Sequence, residues 1–460
     1  MPIATAVPAT RPGTRRAVRY FRLHWVAVLL VLISVGYGTT VTALHGGELS
    51  PVDEWVYVDY LYKLPAQGMV HAGEMVQDPT LKILTCDGVI PWGKVGPPCA
   101  NSFPDTSPFP NGGLTSAAPY TPIYFALTRG VGDAIHAVTG IDQLKSWRLT
   151  GVLWLAGSMI VLYALFRQWR IPNHAILAVG LGFIASPLAW WTFTYVSTDA
   201  PSFLIGTLLL YLAVRFTRGQ GSGWWLPVVA VVGVLFKVTN ILALWLVGLY
   251  LIICWIRELK QTHWNGLKTL RPGMPHRYSL SLLGFPLLAL VLAAASEFLW
   301  LRIVQALAVS DRVADQGVVV DLTTHALLSE VTKFLPSTLT YNPIDIYVPG
   351  FVYAPLSWLC IAGVLGAFML LRLKDRLSSM TIAVTIAAAS FAPLLAITLE
   401  VTMNSYFVLP SRYGAPILGG FLLLIGSMLR NKAASWVLGA YAVALFGVGA
   451  WLSGYLAVLV

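Results

Sequence analysis

Two adjacent carboxylates, Asp53 and Glu54, stand in the run Ser50-Pro51-Val52-Asp53-Glu54-Trp55, directly after a long apolar stretch. A carboxylate at the edge of a low-dielectric medium is unfavourable unless paired, so its presence there points to use. Neighbouring acids can also push each other's titrations apart, which suits one of them to general-base work. The same residues read equally well as a helix start, with Asp53 as the cap and Glu54 in the first turn. A second acid, Asp199, lies in Ser197-Thr198-Asp199-Ala200-Pro201, where it too has the setting of a cap. The third feature is Tyr406 to Pro416, YFVLPSRYGAP, which carries Arg412 and Tyr413. A guanidinium matches phosphate with a forked pair of donors; the competing role is an arginine reaching for lipid headgroups. Lys237 interrupts an apolar run and is placed to pair with Asp199 or hold an anion, or to sit at the interface without further purpose. Tyr60 and Lys333 complete the substrate-binding candidates. Glu330, His325 and Asp345 share a polar stretch with Lys333, in which most residues are expected to be simply solvated. Glu297 and Glu400 fall in or at the ends of apolar runs and have no partner evident in the sequence.

The elements that must position these groups follow from composition. The chain has 460 residues, 57% hydrophobic and 11% charged, with a mean hydropathy of +0.71. Soluble domains carry roughly 25% charged residues. A soluble globule, a disordered chain and a small disulfide scaffold are therefore excluded. The pattern predicts one integral membrane domain over 1–460, an all-α polytopic bundle. Helices that cross a bilayer need roughly 20 apolar residues. Spans are expected at 24–44, 148–166, 173–191, 198–214, 224–236, 238–256, 279–301, 351–371, 379–399, 412–429 and 434–456, eleven in all. The run 224–256 is too long for one span, and Lys237-Val238-Thr239-Asn240 divides it with a tight hairpin. The tail 1–23 carries Arg11, Arg15, Arg16, Arg19 and Arg22. A signal peptide also begins with a basic stretch, but the long apolar run and the lack of a small-residue cleavage site favour a retained helix.

Charge decides the topology. If 119–139 stays out of the membrane, the segments 1–23, 167–172, 215–223, 257–278, 372–378 and 430–433 share one side. They hold 19 of the 30 Lys and Arg but only 2 of the 20 acids, Glu258 and Asp375. The positive-inside rule makes that side cytoplasmic and puts the C-terminus outside. The outer side then carries loop 45–147, with interfacial helices at 53–68 and 119–138, and a second large loop, 302–350. The stretch 86–118, rich in Pro, Gly and Ser, reads as ordered loop. Cys86 and Cys99 lie in it, and a disulfide between them and a pair of free thiols are both open. Cys254 and Cys360 read as packing residues. No Cys/His spacing suggests zinc, and no phosphate loop, dinucleotide turn or nucleophile elbow occurs.

An acid pair, a second acid and a displaced arginine thus converge on one outer membrane level. In this arrangement the sequence resembles the GT-C superfamily of integral membrane glycosyltransferases, which use polyprenyl-phosphate sugars. The resemblance is spread over most of the chain. It lies in Asp53-Glu54 after the first span, Pro119-Tyr120-Thr121-Pro122-Ile123-Tyr124, Trp147-Arg148-Leu149, Ser197-Thr198-Asp199, Phe236-Lys237-Val238-Thr239, and Ser411-Arg412-Tyr413 with Pro416. It implies a GT-C-like fold and an active site facing the extracytoplasmic side of the plasma (inner) membrane. Asp53 would deprotonate an acceptor hydroxyl, Arg412 would hold the donor phosphate, and Glu54 and Asp199 would orient sugar hydroxyls or a bound ion. No cofactor is assigned, and a divalent cation is left open. The partners implied are a polyprenyl-phosphate sugar and a glycan, lipid or protein acceptor, with no nucleic acid. No WWDYG-like signature is present, which argues against oligosaccharide transfer to asparagine. The main alternative is a transporter or flippase of a lipid-linked substrate, against which stand the lack of an internal repeat and the rim placement of the charges. A catalytically silent scaffold is the third reading.

Overall fold

The computed structural model describes residues 12–264, 277–312, 319–343, 348–370, 376–403 and 406–459. Asp345 lies outside them. Among the described residues the chain is an all-α bundle with a single two-stranded pairing. In order the helices are α1 (Pro12–Leu44), α2 (Glu54–Gln67), α3 (Asp78–Cys86), α4 (Pro122–Thr139), α5 (Gln143–Gln168) and α6 (Asn173–Ile184). Then come α7 (Pro187–Phe193), α8 (Ala200–Thr217), α9 (Trp225–Phe236), α10 (Ala243–Trp264), α11 (Arg277–Ala306) and α12 (Thr324–Val331). The last are α13 (Phe334–Ser337), α14 (Gly350–Met369), α15 (Arg376–Met403), α16 (Ala415–Met428) and α17 (Lys432–Leu459). Strands β1 (Val319–Val320) and β2 (Tyr406–Phe407) pair antiparallel, Val319 opposite Phe407.

All eleven expected spans fall on helices, but eleven crossings do not follow from them. Eight described helices are long and apolar enough to cross a membrane alone, and nine if the bent pair α6 and α7 counts as one. That pair bends by 59°. Ser186 accepts a hydrogen bond from the Ala189 amide at 3.2 Å, and Pro187 has no amide to continue the helical ladder. α9 has 12 residues and α16 has 14. At about 1.5 Å per residue both fall well short of a hydrocarbon core of about 30 Å.

Outside the long helices, α2 is covered by protein. Its residues from Glu54 to Leu61 are buried, as is Lys63. α4 closes over it through a flat stack of Tyr60 on Phe125, centroids 3.9 Å apart. The loop between α2 and α4 is cross-linked within itself. Cys86 and Cys99 are joined by a disulfide, and Val76 N donates to Gly113 O at 2.8 Å. Underneath, a buried cluster ties the loop to α2: Lys63 Nζ stands 2.7 Å from Asp59 Oδ2, and Gln77 N donates to Asp59 Oδ1 at 2.8 Å. Burial, opposed by Lys63, raises the Asp59 carboxyl to about 6.

Close helix approach sets the level of the site. Gly206 on α8 lies so near α16 that an added Cβ would stand 1.9 Å from the Pro416 carbonyl oxygen. At Gly419 of α16 it would meet Thr207 Oγ1 at 2.5 Å. Small residues let the two backbones touch. The start of α8, with Asp199, and the turn before α16, with Arg412, are thereby held side by side.

Candidate functional site

Five of the expected residues, Asp53, Asp199, Lys237, Arg412 and Tyr413, meet in one cluster. Arg412 stands at its centre, on the 3-10 turn Ser411–Gly414 that leads into α16. Its Nη2 donates to Asp53 Oδ2 at 3.0 Å. Its Nε lies 3.0 Å from Asp199 Oδ2, and its Nη1 donates to the Tyr341 hydroxyl at 2.7 Å. Lys237 Nζ donates to the other Asp199 oxygen at 2.6 Å. Tyr413 lies beneath both cations, with its ring centre 5.1 Å from Lys237 Nζ and 5.4 Å from the Arg412 guanidinium carbon. Two carboxylates and two cations sum to zero charge. Burial lowers the Lys237 pKa, although Asp199 pulls it the other way.

The chain places these groups by local means. Lys237 is the extended residue that ends α9, and its ion pair brings the α9–α10 break to the level of the start of α8. Asp199 and Asp53 occupy helix N-cap positions, yet neither side chain makes a capping hydrogen bond. Their oxygens turn to Arg412 and Lys237 instead. Asp53 adopts φ 58°, ψ 9°, the left-handed region that costs a non-glycine residue about 1–3 kcal/mol and persists only where the surroundings over-determine it. Its side chain is 35% exposed while that of Asp199 is 3% exposed, so Asp53 is the carboxylate that a ligand can reach.

What over-determines Asp53 is its neighbour. Glu54 is fully buried and faces away from the cluster. Arg148 Nε donates to Glu54 Oε1 at 2.8 Å, and Arg148 Nη2 to Oε2 at 3.0 Å. Ser50 N reaches Oε2 at 2.7 Å, and Val196 N reaches Oε1 at 2.9 Å. Arg148 is also bound to the carbonyls of Gly46 and Glu48 and lies over the Tyr195 ring. This strut joins the end of α1, the start of α2, α5 and the 194–199 loop. The other expected residues stand apart from the cluster. Tyr60 donates its hydroxyl to the Tyr120 carbonyl at 3.3 Å and holds α2 to α4. Lys333 pairs with Glu330. His325 is exposed.

The residues that sequence reading did not bring to the site are Tyr341, the Arg148 strut and a chain of hydroxyls. Thr198 donates to the Tyr57 hydroxyl at 3.1 Å, and Tyr57 to the Tyr120 hydroxyl at 3.1 Å. Burial, then Tyr120, Asp53 and Asp199, raise the Tyr57 pKa well above its ordinary value. The Trp147-Arg148 pair and the tyrosines at 57 and 120 were legible as residue types; their contacts were not. No group of three or more His, Cys, Asp or Glu able to hold a metal occurs among the described residues. A divalent ion at the two cluster carboxylates would have to displace Arg412 and Lys237, which already supply the counter-charge.

Residues 132–270 match the family described as dolichyl-phosphate-mannose-protein mannosyltransferase. That segment contains Asp199 and Lys237 but neither Asp53 nor Arg412. No curated protein matches the sequence. Among solved structures the chain is similar to ArnT from Cupriavidus metallidurans bound to undecaprenyl phosphate, at 15% identity and a TM-score of 0.46, over 95% of this chain and 76% of that one. It is also similar to the archaeal oligosaccharyltransferase AglB from Archaeoglobus fulgidus, in complex with an inhibitory peptide and a dolichol-phosphate, at 12% identity and a TM-score of 0.47. There the match covers 95% of this chain and 56% of AglB.

Proposed function

We propose that the chain is a membrane glycosyltransferase of GT-C type that moves a sugar from a polyprenyl-phosphate donor to a lipid, glycan or protein acceptor on the extracytoplasmic side. The observation that carries this reading is the placement of Arg412. It lies between an accessible carboxylate, Asp53, and a buried one, Asp199, with a second cation behind it. The match of 132–270 to a family named for a dolichyl-phosphate donor supports the same donor class.

The chemistry is a direct displacement. The acceptor hydroxyl attacks the anomeric carbon, its proton passes to Asp53, and the bond from that carbon to the phosphate oxygen breaks. The donor is a phosphodiester with one negative charge, and the leaving polyprenyl phosphate is a monoester that carries more. Arg412 and Lys237 stand where that added charge develops, which favours the transition state over the bound donor. The Arg412 Nη2 held by Asp53 is also the edge that a phosphate would take. Donor binding then frees the carboxylate for the acceptor, which gives an ordered reaction with the donor first. Asp199 keeps the arginine and lysine in place. Glu54 acts on the reaction only by holding Asp53 in its left-handed turn.

Donor binding tests this reading. Hydrogen bonds to charged groups are worth roughly 1.5–3 kcal/mol, so Arg412→Ala should weaken binding of a polyprenyl-phosphate sugar about ten- to a hundredfold. Arg412→Lys should restore only part of it, because an ammonium lacks the fork. An unchanged affinity in Arg412→Ala would make this residue a lipid anchor. The transporter reading predicts movement of unaltered donor across the bilayer without release of polyprenyl phosphate.

A further inference from the structure

The second outer loop holds an element that packs on α14 and α15 and also reaches the segment that carries Arg412. Four residues along 330–341 touch 406–414, one from α12, one from α13 and two from the turn that follows α13. Glu330, buried in α12, accepts from the Tyr406 hydroxyl at 2.7 Å and from the Leu409 amide at 3.3 Å, both with the same oxygen. Lys333 pairs with that oxygen from the side. One turn on, Phe334 and Thr338 lie against Gly414, where an added Cβ would stand 2.1 Å from Thr338 Oγ1 and 3.1 Å from Phe334. Beyond α13, the Tyr341 hydroxyl accepts from Arg412 itself. Strand β1, just before this element, pairs with Tyr406 and Phe407.

From this geometry we infer that Glu330 is a positioning residue that sets where the Arg412 guanidinium stands, acting through Tyr406 and Leu409. This rests on the reading of Arg412 as the donor-phosphate cation. A carboxylate is a costly choice for a fully buried position unless it collects several donors. Here it gathers two from one short stretch, Tyr406 and Leu409. Leu409 is three residues before Arg412, and Pro410 between them fixes its own backbone angle. A displacement at Leu409 therefore passes to the arginine with little loss. Tyr341 holds the tip of the same side chain, so one rail grips both the backbone ahead of Arg412 and its guanidinium.

The experiment measures binding of a sugar-free polyprenyl phosphate to the full-length protein in lipid nanodiscs. The variants are Glu330→Gln, Glu330→Ala, Tyr406→Phe and Arg412→Ala, and each of the first three combined with Arg412→Ala. Losing a hydrogen bond to a charged acceptor should weaken binding by about tenfold in Glu330→Ala, and by less in Glu330→Gln, which keeps an acceptor oxygen. Tyr406→Phe removes one donor without changing shape, and it serves if Glu330→Ala does not fold. In the Arg412→Ala background all three should add almost nothing, because the group they position is gone. Equal losses in both backgrounds would make the rail a general stabiliser and overturn the inference. So would unchanged affinity in Glu330→Ala and Tyr406→Phe while Arg412→Ala binds weakly. Unchanged affinity in Arg412→Ala itself would instead remove the phosphate reading and this inference together.

Discussion

Asp53 and Glu54 are adjacent in sequence and opposite in fate, which gives each a distinct signature on substitution. Glu54 is held by four hydrogen bonds in a fully buried pair with Arg148. Removing one partner of a buried pair typically destabilises by about 3–5 kcal/mol. Arg148→Ala should therefore lower the thermal midpoint sharply and lose much of the folded protein, as read by size-exclusion chromatography of detergent extracts. Normal yield and midpoint in Arg148→Ala would show that the strut contributes little. Asp53→Asn should leave the midpoint nearly unchanged, since asparagine tolerates a positive φ better than most residues. The sequence showed two adjacent acids after the first span. It could not tell which of them faces Arg412, because that depends on a left-handed turn at Asp53 that an aspartate does not announce. The cap reading of both aspartates was reasonable from their settings. The distant cations Arg412 and Lys237 outcompete the local amides for those oxygens.

The helices and their contacts carry the next level. Gly206 has no room for a methyl group against the Pro416 carbonyl, and overpacking of this kind typically costs about 1–3 kcal/mol. Gly206→Ala should lower the thermal midpoint and weaken donor binding as well, because α8 and α16 bring Asp199 and Arg412 to each other. A variant that kept wild-type affinity would uncouple helix packing from the site. The Cys86–Cys99 bond closes a loop with a sequence separation of 13, worth about 3 kcal/mol in the chain-entropy account. Joint replacement of both by serine should lower the midpoint while donor affinity stays near wild type, since the disulfide lies in the loop covering α2 and not among the cluster residues. Hydropathy located the apolar helices, though not all of their ends, and split 224–256 at Lys237. It missed the Ser186-Pro187 break inside 173–191, because two apolar helices joined by a short kink look like one span. It also missed α12 and α13, which are 8 and 4 residues long and too short to give a periodic signal.

Across the whole molecule, charge separates by level. Arg215 and Arg218 close α8 at the end opposite Asp199, and Arg218 Nη1 donates to Gln168 at the far end of α5. Asp53, Asp199, Lys237 and Arg412 gather at the other end. A cysteine introduced as Ala100→Cys, and another at the C-terminus, should both react with an impermeant reagent from outside intact cells. Protection of the C-terminal one would mean an odd number of crossings after loop 45–147 and would put the proposed orientation in error. In the proposed orientation that loop, loop 302–350 and the cluster share one side. The central claim is that Asp53 accepts the acceptor's proton while the donor phosphate is held by Arg412. It is tested most directly by single-turnover release of polyprenyl phosphate from a labelled polyprenyl-phosphate sugar, in wild type and in Asp53→Asn, with donor affinity measured on the same preparations. General-base contributions are typically about 10²–10⁴-fold, so release should fall by that order in Asp53→Asn while the donor binds at least as tightly as to wild type, because the Arg412 edge is freed. Release at the wild-type rate in Asp53→Asn would contradict the account.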